Sequence, residues 1–256
     1  MQSDDLLLYE FPCNEKIRFY LRFEALVKRF DWYCAQDSAI THQAAIGVLF
    51  DLSDVAARSD LRNDLVQELM RERRQLEAER RAEGADGEAI GARITALAAA
   101  AQQVSQVVGR SGQNIRDNEW LQLIRNRQQL PGGTCEFDMP LLHFWLSRPV
   151  EERRAELEKL AESFVPTYRA VTLILSHLRT NSSVSEAHAE NGMLQMSVAG
   201  RNWSLARIWM PPESTLIPEV SANKYMLWIR FSRPDERRRL HVVHEPIRFR
   251  LGLCAN

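Results

Sequence analysis

Arg18, Arg22 and Arg29 stand at i, i+4 and i+11, a spacing that puts three guanidiniums on one face of a helix. Phe19, Tyr20 and Phe23 lie beside and behind them. A second basic set, Arg116, Arg125 and Arg127, precedes Pro131, and His143 follows it. Guanidinium forks bind carboxylates through paired hydrogen bonds and stack on rings. Such a surface suits an acidic peptide with apolar anchors. The plainer reading of the first set is a solvated basic helix face.

No pattern for covalent or metal chemistry accompanies these residues. The chain has no Gly-x-Gly-x-x-Gly, no phosphate loop, no His-Glu-x-x-His and no Gly-x-Ser-x-Gly. Cys135 and His143 could be imagined as a thiolate pair, but a half-buried cysteine beside a helix start explains Cys135 without catalysis. His42, His143, His177, His188, His241 and His244 show no metal-ligand spacing. His241 and His244 are three apart in a strand-rich region and so fall on opposite faces. The expectation is no catalytic residue, no metal and no cofactor.

The bulk composition limits the partners. Net charge is -1, so no global field draws the chain to nucleic acid or to an anionic membrane. A local exception is the run Arg237-Arg238-Arg239 after Pro234, which supports an alternative reading as a nucleic-acid-binding loop. Cys13, Cys34, Cys135 and Cys254 are far apart and form no Cys-x-x-Cys pair, so they read as reduced thiols, most of them buried, in a cytosolic protein. Asp4 and Asp5 precede a short apolar run, unlike a secretory signal, and no apolar stretch has the length of a bilayer span. The expected location is the cytoplasm, with no membrane contact.

The elements that must position the basic residues follow from capping and periodicity. A strand at 5–11 ends at Pro12, and Asn14 caps a helix from about Glu15 to Phe30. A mostly apolar helix covers Thr41 to Ala57. Leu61, Leu65, Leu69 and Leu76 form a stripe on a helix capped by Ser59. It faces a seam of Ile90, Ile94, Leu97, Ala101, Val104 and Val108. Glu83–Gly87 between them is a turn by composition, giving an antiparallel hairpin whose Arg71–Arg81 half is nearly all charge.

Helices then run from about Gly112 to Gln129, from Asp138 as cap to Leu146, from Val150 to Glu162 and from Pro166 to Arg179. Past Asn181 the period changes. Met193–Val198, Trp203–Trp209, Tyr225–Phe231 and Ile247–Leu253 read as strands of an antiparallel sheet. Lys224 and Arg230 flank the strand that holds Trp228. The fold class is α+β, with a helical domain at 14–180 and a smaller β domain at 181–256 that strand 5–11 can join.

Three segments carry a family resemblance. They are Asn14-Glu15-Lys16-Ile17-Arg18-Phe19-Tyr20-Leu21-Arg22-Phe23-Glu24, the run from Leu130-Pro131-Gly132-Gly133 through Asp138-Met139-Pro140 to His143-Phe144-Trp145-Leu146, and Leu216-Ile217-Pro218-Glu219-Val220-Ser221. Together they resemble the ZapD family of bacterial cell-division proteins. The resemblance implies a non-enzymatic cytoplasmic homodimer at the mid-cell division site. It would bind the C-terminal tail of the tubulin-like protein FtsZ and cross-link its filaments. It also places Arg22, with Arg18 one turn away, Arg58 and His143 on basic positions linked to that binding. Glu119 stands where a further basic residue is expected, a role Arg116 can assume. The full expected tail-binding set is Arg18, Arg22, Arg58, Arg116, Arg125, Arg127, His143, Lys224 and Arg230.

Overall fold

Asn14 accepts the Ile17 amide at 2.9 Å, and this cap starts α1 (Glu15–Ala35). The computed structural model describes residues 6–58, 60–81, 87–197, 203–223 and 225–255. Helix α1 continues past Phe30 because Phe30 and Cys34, four residues apart, both turn inward. Ser38 then caps α2 (Ala39–Val55) by accepting the Ile40 amide. Ala45, Ile46, Leu49 and Leu52 make α2 a buried spine.

The charged hairpin is present as α3 (Leu61–Arg80) and α4 (Gly87–Gln106). Leu65 and Leu69 on α3 are fully buried, as is Leu97 on α4, with Ala101 and Val104 nearly so. The seam is thus consumed within the hairpin. It also holds an ion pair. Glu72 Oε1 accepts from Arg93 Nε at 2.9 Å and from Nη2 at 2.7 Å. Burial raises the Glu72 pKa, and the Arg93 guanidinium opposes that rise. Val108 does not belong to the seam. Helix α4 stops at Gln106, Gly109 has a φ of 74°, and Val108 is 96 % exposed. The expected cap Ser59 and the turn at 83–86 lie outside the described residues, and Gly87 begins α4.

Next come α5 (Gln113–Arg116), α6 (Glu119–Gln128), α7 (Pro140–Leu146), α8 (Val150–Ala161), a 3-10 turn at Glu162–Phe164 and α9 (Val165–Thr180). The single helix expected at 112–129 is two. Asn118 takes an extended backbone, and its side chain accepts the Leu121 amide at 3.1 Å, which restarts the helix. Asp138 does not cap α7. Met139 occupies that position without a side-chain cap, and Pro140 supplies the first turn.

The strands are β1 (Leu7–Pro12), β2 (Ser183–Ala189), β3 (Met193–Ser197), β4 (Trp203–Met210), β5 (Ile217–Ala222), β6 (Met226–Pro234), β7 (Leu240–Val242) and β8 (Ile247–Ala255). They form two antiparallel sheets rather than one. One has the order β1-β4-β8-β2. The other has the order β3-β6-β5, with β7 also paired to β6. The N-terminal strand does join a sheet, with Tyr9 opposite Ile208. The core of this part includes Ala206, Ile208, Leu227, Ile229, Leu251 and the ring pair Phe231–Phe249, whose centroids lie 4.9 Å apart. Strand β1 is tied by charge as well. Glu10 holds Arg179 at 2.7 Å and Arg207 at 3.0 Å.

The chain divides into two compact units, Met1–Leu21 with Leu175–Asn256, and Arg22–Ile174. The division falls inside α1 and α9 rather than at Asn181. The first unit holds the two sheets, and the second holds the helical body.

Candidate functional site

Within the helical unit, three of the expected basic residues meet the C-terminal end of α2. Arg116 Nη1 donates to the Ser53 carbonyl at 3.0 Å and to its hydroxyl at 2.8 Å, while Nη2 reaches the Ser111 carbonyl at 3.1 Å. A cation at a helix C-terminus complements the dipole there, and hydrogen bonds from a charged donor each contribute about 1.5–3 kcal/mol. Arg125 Nη2 binds Asp54 Oδ2 at 2.7 Å, with its guanidinium carbon 5.8 Å from the Phe50 ring centroid. Arg58, past the end of α2, faces Asp60 at 3.7 Å and Asp64 at 3.9 Å.

A packed hub underlies this cluster. Gly112 has a φ of 74°, and a Cβ there would come within 2.7 Å of the Phe164 ring. Only glycine meets both demands without strain. Ser53 Oγ donates to the Gly112 carbonyl at 3.3 Å, and Phe164 packs edge-on against Phe23 at 6.2 Å. Arg22 adjoins Phe23 in α1 and is exposed. Among the described residues it makes no side-chain hydrogen bond or ion pair.

A second group is built on the turn after α6. Gly132 has a φ of 70°, and a Cβ on Gly133 would lie 2.3 Å from the Arg127 carbonyl oxygen. The two glycines therefore serve different ends, one a left-handed conformation and the other close backbone approach. The turn delivers α7, whose Leu142 and Trp145 point inward. Trp145 packs against Trp120 at 5.7 Å and donates its indole N–H to Glu156 at 2.7 Å.

With that face fixed, Leu141, His143 and Phe144 turn outward. Phe137 is 80 % exposed and Phe144 63 %, with Leu130 and Leu141 also more than half exposed. His143 Nδ1 lies 3.5 Å from Glu136. Arg127 is exposed and, among the described residues, has no side-chain partner. These four apolar side chains were not singled out from the sequence. For Leu141 and Phe144 the signal was there, because the inward pair Leu142 and Trp145 fixes which neighbours on α7 must face out.

The remaining expected residues lie elsewhere. Arg18, in the other unit, pairs with Glu15 at 3.1 Å. Arg230 pairs with Glu219 at 3.1 Å on neighbouring strands of the β sheet. Lys224 lies outside the described residues. Arg237, Arg238 and Arg239 are exposed on the β6–β7 turn, where Asp235 accepts the amides of Arg237 and Arg239 at 2.8 and 2.9 Å.

Among the described residues no cluster of three or more His, Cys, Asp or Glu side chains could hold a metal ion. No helix among them is long and apolar enough to cross a membrane. All four cysteines are free. Burial pushes the thiol of Cys34 up to about 12 and those of Cys13 and Cys254 up to about 11. Cys135 is exposed rather than half-buried.

Comparison with known proteins adds the family. A family model described as "ZapD: Cell division protein" matches residues 21–230. A cell division protein ZapD of Cupriavidus pinatubonensis is 41 % identical over 250 residues, covering 97 % of this chain and 99 % of the relative. A second, of Ralstonia pickettii, is 42 % identical over 251 residues with the same coverage of each chain. The chain belongs to the ZapD family of cell division proteins.

Proposed function

We propose that this protein binds the C-terminal tail of FtsZ through the helical unit and, as a homodimer, cross-links FtsZ filaments at the mid-cell division site in the cytoplasm. It does so without catalysis and without a cofactor. One observation carries the reading. Arg22 and Arg127 are exposed with no side-chain partner among the described residues, whereas Arg116 and Arg125 are tied to α2. Arg127 stands on the helix before the turn that carries exposed Phe137, Leu141 and Phe144, and with Arg22 it gives both halves of a site for an acidic peptide with apolar side chains.

The roles then divide. Arg22, Arg127 and His143 meet the tail. Arg125 sits over Phe50 and can exchange Asp54 for a tail carboxylate, since an exposed ion pair contributes only about 0–1 kcal/mol. Arg116 shapes the surface from beneath. Two such sites in a dimer join two filaments, and repetition along a polymer makes weak single sites sufficient.

The test is co-sedimentation with GTP-polymerised FtsZ of the same organism, intact and lacking its C-terminal tail. Co-pelleting that requires the tail is the expected result. Equal pelleting with both forms, or with neither, removes the reading. Tight binding to duplex DNA that falls steeply with salt would instead favour the Arg237–Arg239 loop as the working surface.

A further inference from the structure

A cavity of about 270 Å³ opens beside the start of α3, within the helical unit. Its polar lining is Arg58, Arg62, Asn63, Arg110, Ser111 and Thr167, and its floor includes Leu65 and Val104. Among the described residues three guanidiniums, two hydroxyls and one amide line it, and no carboxylate does. That is an unusual balance for a chain whose net charge is -1.

The guanidiniums are held to different degrees. Arg62 is anchored by the carbonyls of Val107 and Gly109, across the base of the hairpin. Arg58 forms ion pairs with Asp60 at 3.7 Å and with Asp64 at 3.9 Å. Arg110 makes no side-chain hydrogen bond or ion pair among the described residues. Ser111 and Thr167 share one hydrogen bond at 2.8 Å, which fixes both hydroxyls at the wall. Asp60, the residue before α3, gives no side-chain cap.

We infer that this cavity is a binding site for a small molecule bearing a phosphate or carboxylate group. Arg62 and Arg110 grip the oxyanion, Asn63 completes its hydrogen bonds, and Leu65 and Val104 receive a short apolar part. Its lining shares Arg58 and Ser111 with the basic cluster at the end of α2 but no residue with the Phe137–Phe144 surface, and the inference does not depend on FtsZ binding. Side chains from α3, from the segment after α4 and from α9 converge on this recess, whereas Arg237–Arg239 stand exposed on a turn.

The experiment is a titration of the intact protein with pyrophosphate, and separately with citrate, at low ionic strength. It is followed by amide NMR shifts at Arg62, Asn63 and Ser111 and by calorimetry. Saturable binding with shifts at these residues is expected, preserved in Arg237→Gln and weakened about tenfold or more in Arg110→Gln. The Arg110 side chain has no structural bond to lose, so this variant keeps its fold; an unchanged unfolding temperature checks that.

The two probes separate phosphate from carboxylate preference, and a titration with FtsZ tail peptide separates a free ligand from the tail. Absence of saturation, equal weakening in both variants, or displacement of pyrophosphate by the tail peptide overturns the inference. Failure of FtsZ co-sedimentation leaves it standing.

Discussion

Arg116 binds Ser53 twice, through the main-chain carbonyl at 3.0 Å and through the hydroxyl at 2.8 Å. It thereby closes the end of α2 against α5. This separates the arginines of the helical unit into those that build the surface and those that work from it. Arg116→Ala should cost about 1–3 kcal/mol, because Ser53 is fully buried and loses a charged donor. For a chain of this size that is a fall of roughly 2–12 °C in unfolding temperature, readable by calorimetry. Arg22→Glu should leave the unfolding temperature within about 1 °C of the parent, since it removes no bond. Yet it should abolish tail-dependent pelleting with FtsZ. If both variants lose stability and pelleting together, the division of roles is wrong.

Gly133→Ala tests the turn that delivers α7. The new methyl would stand 2.3 Å from the Arg127 carbonyl oxygen, a backbone atom that can move only with the end of α6. We expect destabilisation of roughly 1–3 kcal/mol together with weaker FtsZ binding, because Arg127 and α7 flank the same turn. Gly47→Ala is the control. Its Cβ would meet only the Gln128 amide at 4.0 Å, an ordinary contact, and a helical glycine replaced by alanine should stabilise by a few tenths to about 1 kcal/mol.

Thiol reactivity should separate one cysteine from three. Cys135 is exposed, while burial raises the other thiols to about 11 or 12 and screens them from reagent. A disulfide reagent at about pH 8 should titrate one thiol quickly in the native protein and all four after unfolding. Cys135→Ser should remove the fast phase and leave FtsZ pelleting unchanged. Loss of pelleting in that variant would point to thiol chemistry that the proposed function does not contain.

Asp235 gives a pH dependence with a definite sign. The Arg239 amide, then the His241 ring and the Arg237 amide, hold its carboxyl below the ordinary 3.8. A group with a depressed folded pKa contributes order above its unfolded value and loses it as pH falls through the folded one. The β6–β7 turn should therefore stay intact down to about pH 4 and loosen only below it. Amide shifts of Arg237 and Arg239 should titrate together with a midpoint under 3.8. A midpoint above that value, or different midpoints for the two amides, would show that the carboxylate does not organise the turn.

The α+β class is legible in the sequence because the hydrophobic period changes from helical to alternating near Asn181. The hairpin is legible because Leu61, Leu65 and Leu69 on one arm, and Ile94, Leu97, Ala101 and Val104 on the other, recur at three- and four-residue steps. What escapes is local. Strand β5 contains Pro218, β2 reads Ser-Val-Ser-Glu-Ala-His-Ala with most positions exposed, and β7 has three residues. None carries the alternation that marks a half-buried strand. The division into two sheets depends on which strands pair, a long-range choice invisible to periodicity.

At the site, residue types and rough neighbourhood are readable, and the load each arginine bears is not. Arg116 and Arg127 look alike in the chain. Only the folded arrangement shows that one is spent on Ser53 and the other is unattached. Exposure of Phe144 likewise follows from which residues of α7 face the core, a face held by Trp120 and Glu156 from outside the helix.

The sheet order β1-β4-β8-β2 has a consequence for how the molecule is made. Leu7–Pro12 leaves the ribosome before every other strand named here, yet its partner β4 begins only at Trp203, and β8, on the far side of β4, ends at Ala255. The helical unit, Arg22–Ile174, is complete in sequence before any of these partners exists. It can therefore fold during translation, as domains generally do, while β1 waits as an unpaired strand. Strand β8, translated after all the other strands, completes the sheet that β1 must enter. Interrupted translation should then yield chains with a folded helical unit and an exposed Leu7–Pro12, a ready target for the cell's quality-control machinery.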